Sequence, residues 1–165
     1  MIHSFKPIVD EDCKILILGT MPGVQSLKKQ EYYGNKQNAF WRIIFSLFNE
    51  EMTENYDEKI SFILEHNIAL WDVLKACERE GSLDSDIKNP EPNDFHELFS
   101  NYKRIKDVFF NGGPAEKLFK KYVSKSLDAQ GLIFHKLPST SPAYTVGFDK
   151  KFDEWKSILN ILRHG

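Results

Sequence analysis

Cysteine is scarce in this 165-residue chain: Cys13 and Cys77 are the only two and do not form a CxxC pair. A disulfide framework and an iron–sulfur cluster are therefore excluded, and a reducing cytoplasm is the expected compartment. No stretch reaches the ~18 consecutive apolar residues of a membrane span. The opening Met1-Ile2-His3-Ser4-Phe5-Lys6-Pro7 lacks the basic-then-apolar order of a secretory signal. Neither GxxxxGK[ST] nor GxGxxG occurs, which removes the common phosphate and dinucleotide loops. The five histidines (His3, His66, His96, His135, His164) are scattered without ligand spacing, so no metal is expected.

What is present suits one soluble domain spanning residues 1–165, with 41% hydrophobic, 13% aromatic and 28% charged residues. A chain of this length buries roughly 68–70% of its unfolded surface, enough for its own core. The net charge of −2 conceals an uneven distribution. Residues 1–44 carry +2, residues 45–100 carry −10 and residues 101–165 carry +6. Folded together, the two basic ends make one face suited to a polyanion; a solvated mixed surface is the plain alternative.

Short apolar runs at Lys14–Leu18, Ile105–Asn111 and Gly131–Leu137 predict buried strands, and Ile68–Leu74 predicts a fourth. Helical spacing follows Asn38, a candidate N-cap (Phe40, Trp41, Ile44, Phe45, Leu47, Phe48), and Pro114 (Ala115, Leu118, Phe119, Tyr122, Val123). A last helix opens at Asp149 and buries Phe152, Trp155, Ile158, Leu159 and Leu162. Alternating strands and helices imply right-handed βαβ units and a parallel sheet covered on both faces. Ligands of such sheets bind beyond the carboxyl ends of the strands, so the loops there hold the chemistry.

Three loops stand out. Gly19-Thr20-Met21-Pro22-Gly23 lets backbone N–H groups approach a ligand closely, or is an ordinary tight turn. Tyr32-Tyr33-Gly34-Asn35-Lys36-Gln37-Asn38-Ala39-Phe40-Trp41 combines aromatic faces that stack on a planar base with amides that read its edge. In that stretch Trp41 reads as a core anchor, while pattern leaves Phe40 open between core and ligand. Leu137-Pro138-Ser139-Thr140-Ser141-Pro142-Ala143-Tyr144 is a stiff, donor-rich loop that suits phosphate oxygens or is plain surface. Asn111-Gly112-Gly113-Pro114 is a turn into a helix. Asp72 is either a capping or salt-bridging residue or a functional one, and His135 reads as a packed or solvated strand histidine.

In this order, G-T-M-P-G-V-Q-S-L, Y-Y-G-N-K-Q-N-A-F-W, L-W-D-V-L with S-L-D-S-D-I, F-N-G and L-P-S-T-S-P-A resemble the uracil-DNA glycosylase superfamily. The likeness is greatest to its DNA-deoxyinosine (hypoxanthine-DNA) glycosylase branch and runs from about Lys14 to the last helix. It implies a three-layer α/β/α sandwich with a four-stranded parallel sheet, no organic cofactor and no metal. It also implies a monomer acting on double-stranded DNA that contains a deaminated base. By the same resemblance Asn38 is catalytic, and Gly19, Thr20, Met21, Phe40, Asp72 and Asn111 bind the base, with Phe40 stacking on it. Pro22, Gly23, Ser26, Lys36, Ser139, Thr140, Ser141, Pro142 and Tyr144 would contact DNA. Gly34-Asn35-Lys36-Gln37 stands where that branch has Ala-His-Pro-Arg, and Tyr144 where a small or amide residue is usual.

The implied chemistry fits these residue types. A base leaves the stack before its N-glycosidic bond can be reached. An asparagine holds a water in line rather than acting as a strong base, and loop amides stabilise the departing charge. No lysine sits in a Schiff-base motif, which points to a monofunctional enzyme. The alternatives are a glycosylase-like nucleic-acid-binding protein without activity, and a small-molecule α/β enzyme acting on nucleotides or phosphates.

Overall fold

The structure, a computed structural model, describes residues 1–129 and 131–164. Three of the apolar runs form β2 (Ile15–Gly19), β6 (Asp107–Asn111) and β7 (Ile133–Leu137), counting from a short N-terminal β1 (Ile2–His3). With β3 (Ile68–Asp72) they make a four-stranded parallel sheet in the order β3-β2-β6-β7. Every residue of β2, β3 and β6 is buried, as a parallel strand covered on both faces requires. The edge strand β7 leaves Ile133 and Phe134 exposed.

Alternation along β2 sorts the core. Ile15 and Ile17 face α2 (Phe40–Leu47), α3 (Tyr56–Glu65), α6 (Phe148–Trp155) and α7 (Ser157–His164) through Phe40, Ile44, Ile63, Trp155 and Ile158. Leu16 and Leu18 face α4 (Phe95–Asn101) and α5 (Gly113–Tyr122) through Phe95, Leu98, Ala115 and Phe119. A short α1 (Val24–Lys29) follows β2 directly. Asn55 caps α3 by accepting the Glu58 N–H, and Asp57 and Glu58 stand in the first turn at the helix's positive end. Among the described residues no helix is long and apolar enough to cross a membrane.

The structure corrects three expectations. The run Ile68–Leu74 is two strands: β3 ends at Asp72, and β4 (Leu74–Glu78) joins a second, antiparallel sheet with β1 and β5 (Lys88–Pro92). The chain parts there because Val73 and Leu74 donate their N–H groups to the carbonyls of Gly19 and Thr20, beyond the end of the parallel ladder. The single C-terminal helix is two, α6 and α7, separated at Lys156, where Leu159 N–H closes a tighter turn onto the Lys156 carbonyl. Asn38 lies one residue before the N-cap of α2, which is Ala39; its Oδ1 still accepts the Phe40 N–H at 2.9 Å.

Candidate active site

Parallel register brings the strand ends into one line. Gly19 pairs with Asp72, Leu18 with Phe110, and Asn111 with Leu137. Above this edge lies a cavity of about 240 Å³, walled by residues of loops 19–23, 32–38 and 139–143. A fourth wall, Ser82-Leu83-Asp84, comes from the β4–β5 connection. Three of these walls are the loops singled out in the sequence.

Gly19 lets the walls meet: a Cβ there would lie 2.7 Å from Asp72 Oδ1 and 3.2 Å from the Tyr33 hydroxyl. Thr20 donates its hydroxyl to Asp84 Oδ1 at 2.6 Å. Met21 and Pro22 are buried, and the Pro22 carbonyl is held by Arg79, which also donates to the Gly81 carbonyl. Ser82 Oγ accepts the N–H of Val24 at 2.8 Å, just past Gly23. The β4–β5 connection thus clamps the first loop. Ser82 and Asp84 stand in the S-L-D-S-D-I motif and Arg79 just before it, but in sequence all three read as part of a polar turn and none was expected in the site.

Asn38 is half-buried and lines the cavity. With Oδ1 accepting the Phe40 N–H, the Nδ2 amino group and the second oxygen lone pair remain to hold a water. Its neighbour Ala39 donates to the Thr140 carbonyl, which ties this loop to the 138–144 loop.

Phe40 is not a face of the cavity. It is fully buried, edge-on to Trp41 and Trp155, and its ring stacks on Tyr33 at 3.9 Å and 16°. Tyr33 lines the cavity instead, held by a left-handed backbone (φ 54°) and by Asn111 Nδ2, which donates to its hydroxyl at 3.1 Å. As the first residue of α2, Phe40 points back onto the sheet and leaves the aromatic wall to the tyrosine that covers it. Trp41 is the expected core anchor, its Nε1 donating to the Tyr32 carbonyl.

Three more residues differ from their expected roles. Asn111 is only 9% exposed, and its amide is engaged: Nδ2 donates to Tyr33 and to Thr140 Oγ1, and Oδ1 accepts the Thr140 N–H. It clamps the last loop to β6 more than it offers donors to a base. Thr140, 1% exposed, is the other half of that clamp and no surface DNA contact. Ser26 is buried and accepts the Gly34 N–H at 2.9 Å, so it braces the second loop.

Ser139 and Ser141 line the cavity with Pro142; their hydroxyls accept the N–H groups of Ser141 and Ala143 and stiffen the loop. Gly112 (φ 96°) lets this loop pass, since a Cβ there would meet Ser139 Cβ at 2.9 Å. Lys36 is exposed on the 32–38 loop and does not line the cavity. Tyr144 is exposed in a neighbouring groove with Arg42, Phe148 and Lys151, whose ammonium donates to the Ser141 carbonyl. His135 is away from the site, paired with Asp107 and stacked on Phe109.

Asp72 is 5% exposed, and its Oδ2 is buried without a hydrogen-bond partner among the described residues. Burial, and next the charge of Asp84, push its carboxyl up to about 7, against the pull of Arg79. The folded chain therefore holds this proton more tightly than the unfolded chain, where an aspartate titrates near ~4. Stability from this group is full at low pH and is lost as pH rises from about 4 through about 7, by on the order of 4 kcal/mol. Asp72→Asn keeps the shape without the charge. Its melting temperature should exceed that of the unaltered chain at about pH 8 and approach it near about pH 4.5. A difference that ignores pH would mean that this carboxyl is solvated.

Comparison with known proteins agrees with this geometry. The model of the uracil DNA glycosylase superfamily matches residues 6–163. A Methanosarcina acetivorans protein named hypoxanthine DNA glycosylase is 36% identical over 158 residues, covering 95% of this chain and 97% of its own. A Methanosarcina barkeri protein of the same name is 42% identical over 111 residues, 67% of this chain and 70% of its own. A solution NMR structure of a candidate uracil DNA glycosylase from Methanosarcina acetivorans matches with a TM-score of 0.81, at 35% identity over 98% of each chain. A parallel sheet whose carboxyl edge carries these loops, together with similarity along nearly its whole length, means that the chain belongs to the uracil DNA glycosylase superfamily.

Proposed function

We propose that this protein is a monofunctional DNA glycosylase that hydrolyses the N-glycosidic bond of a deaminated base in double-stranded DNA, with hypoxanthine as its first substrate and uracil or xanthine as weaker ones. The observation that carries the reading is the cavity at the sheet edge, whose 32–38 wall brings to it both a tyrosine ring and an Asn38 amino group that no described residue engages. The names of the two Methanosarcina relatives support hypoxanthine over the other bases.

The extruded base stacks on the cavity-facing side of Tyr33, whose far side Phe40 holds rigid. Asn38 holds the water that adds to the anomeric carbon as the sugar acquires oxocarbenium character; positioning of this kind removes much of the barrier. The 139–142 loop, braced by Asn111 and Lys151, follows the DNA backbone.

The test is a gel assay with duplexes containing deoxyinosine, deoxyuridine or deoxyxanthosine, with and without alkali. Alkali-dependent strand breaks, fastest at deoxyinosine, are expected. Breaks without alkali would mean a lyase step, and uncut duplexes bound tightly would mean a binding protein.

Duplex binding should weaken with salt, each phosphate contact contributing about −0.9 to the slope of log K against log salt. Lys36→Ala is expected to flatten that slope by about 1 and to weaken binding equally across sequences. An unchanged slope in a salt titration by fluorescence anisotropy would remove Lys36 from the DNA face.

A further inference from the structure

We propose that Asp72 is a second catalytic residue, a general acid that gives its carboxyl proton to the departing purine. The inference rests on the glycosylase reading above and deepens it. Asp72 ends β3 on the cavity wall, packed against Gly19, and Oδ2 has no hydrogen-bond partner among the described residues. Burying a carboxyl without a partner is costly, and the charged form is the costlier one. Among the described residues no hydrogen bond to Oδ2 offsets that cost: Asp84, whose charge raises the proton affinity of Asp72, accepts a hydrogen bond from Thr20 instead of giving one to Asp72.

The reaction supplies a use for such a group. A base that leaves with the electron pair of its glycosidic bond is an anion, and a carboxylate on the same wall would repel it. A carboxylic acid there is compatible with departure, and it removes the charge altogether by transferring its proton. The proton passes from Asp72 to a free ring nitrogen of the purine, the sugar–nitrogen bond breaks with its electron pair on the base, and a neutral purine leaves. The water held by Asn38 adds to the anomeric carbon, and the proton it sheds returns through solvent to the Asp72 carboxylate.

The groups facing Asp72 favour the acid form on balance. Burial and the carboxyl of Asp84 raise its affinity for the proton, Arg79 opposes them, and the hydroxyls of Tyr32 and Tyr33 stay protonated because burial and Asp72 itself push them up. The acid is thus held to about 7, where a general acid is most effective.

Single-turnover excision of deoxyinosine from duplex DNA, measured from about pH 5 to about pH 9, tests this. The unaltered enzyme should lose rate above about pH 7, where Asp72 ionises. Asp72→Asn should be slower by about 10²–10⁴-fold at low pH and lack that alkaline limb. Asp84→Asn, which removes a charge that raises Asp72, should move the limb to lower pH whatever it does to the plateau. Near-normal excision by a folded Asp72→Asn enzyme, or a limb that Asp84→Asn leaves in place, overturns the proposal. An unaltered enzyme that cuts no deaminated duplex at any pH overturns the glycosylase reading itself, and this proposal with it.

Discussion

The Asn38→Ala enzyme is expected to bind duplex DNA normally while excising its base about 10²–10³-fold more slowly, the range found when one preorganised polar group is lost from an active site. Asn38 contributes little to the core. It is half-buried, its backbone N–H is used by the Asn35 carbonyl, and one side-chain bond, Oδ1 to Phe40 N–H, steadies the start of α2. Losing that one hydrogen bond costs about 0.5–1.5 kcal/mol of stability, a small fraction of the whole. Rate and melting temperature therefore separate: a purely structural Asn38 would show a lower melting point with excision per folded molecule intact. Asn38→Asp keeps the acceptor for the Phe40 N–H, so it should restore the melting temperature and tell that structural bond apart from the work of the amino group. Equal single-turnover rates for Asn38→Ala and the unaltered enzyme would remove this residue from the mechanism.

The second large effect divides two stacked rings between two jobs. Phe40→Ala should lose about 3–5 kcal/mol of folding stability, because a fully buried aromatic in contact with Tyr33, Trp41 and Trp155 leaves a cavity that its neighbours cannot fill. In a chain of this size that lowers the melting temperature by roughly 10 °C or more. Tyr33→Ala removes the ring that lines the cavity. It should cost about 1–3 kcal/mol of transition-state stabilisation, one to two orders of magnitude in excision. Excision per folded molecule should fall further in Tyr33→Ala than in Phe40→Ala. The opposite outcome, full activity in Tyr33→Ala with a collapse in a normally melting Phe40→Ala, would return the base-stacking face to Phe40.

Much of the architecture could be read along the chain because it is local in sequence. A strand covered on both faces reads as an uninterrupted apolar run, and Ile15–Leu18 and Val108–Phe110 announce themselves that way. Helices between such runs leave little choice but a parallel sheet, and the sheet's carboxyl edge names the loops that carry function. The second sheet gave no such signal. Its strand β5, Lys88-Asn89-Pro90-Glu91-Pro92, is polar and holds two prolines, tolerable only at an edge, and it exists because β4 pairs with it.

Within the site, the sequence by itself determined which loops meet and which residue types they bring: an asparagine beside aromatics, a glycine turn, a hydroxyl-rich stretch. Only the tertiary structure decided which of them face the cavity. Tyr33 and Phe40 are equally aromatic in sequence, and the packing of Trp155, far along the chain, assigns one to the core and the other to the wall. Asn111 and Thr140 are separately unremarkable polar residues until β6 and the last loop bring them within hydrogen-bond reach. Asp72 is an ordinary aspartate on paper. Its proton affinity comes from water excluded by the folded walls and from Asp84 placed nearby by the β4–β5 connection, and both depend on what surrounds the residue rather than on the residue itself.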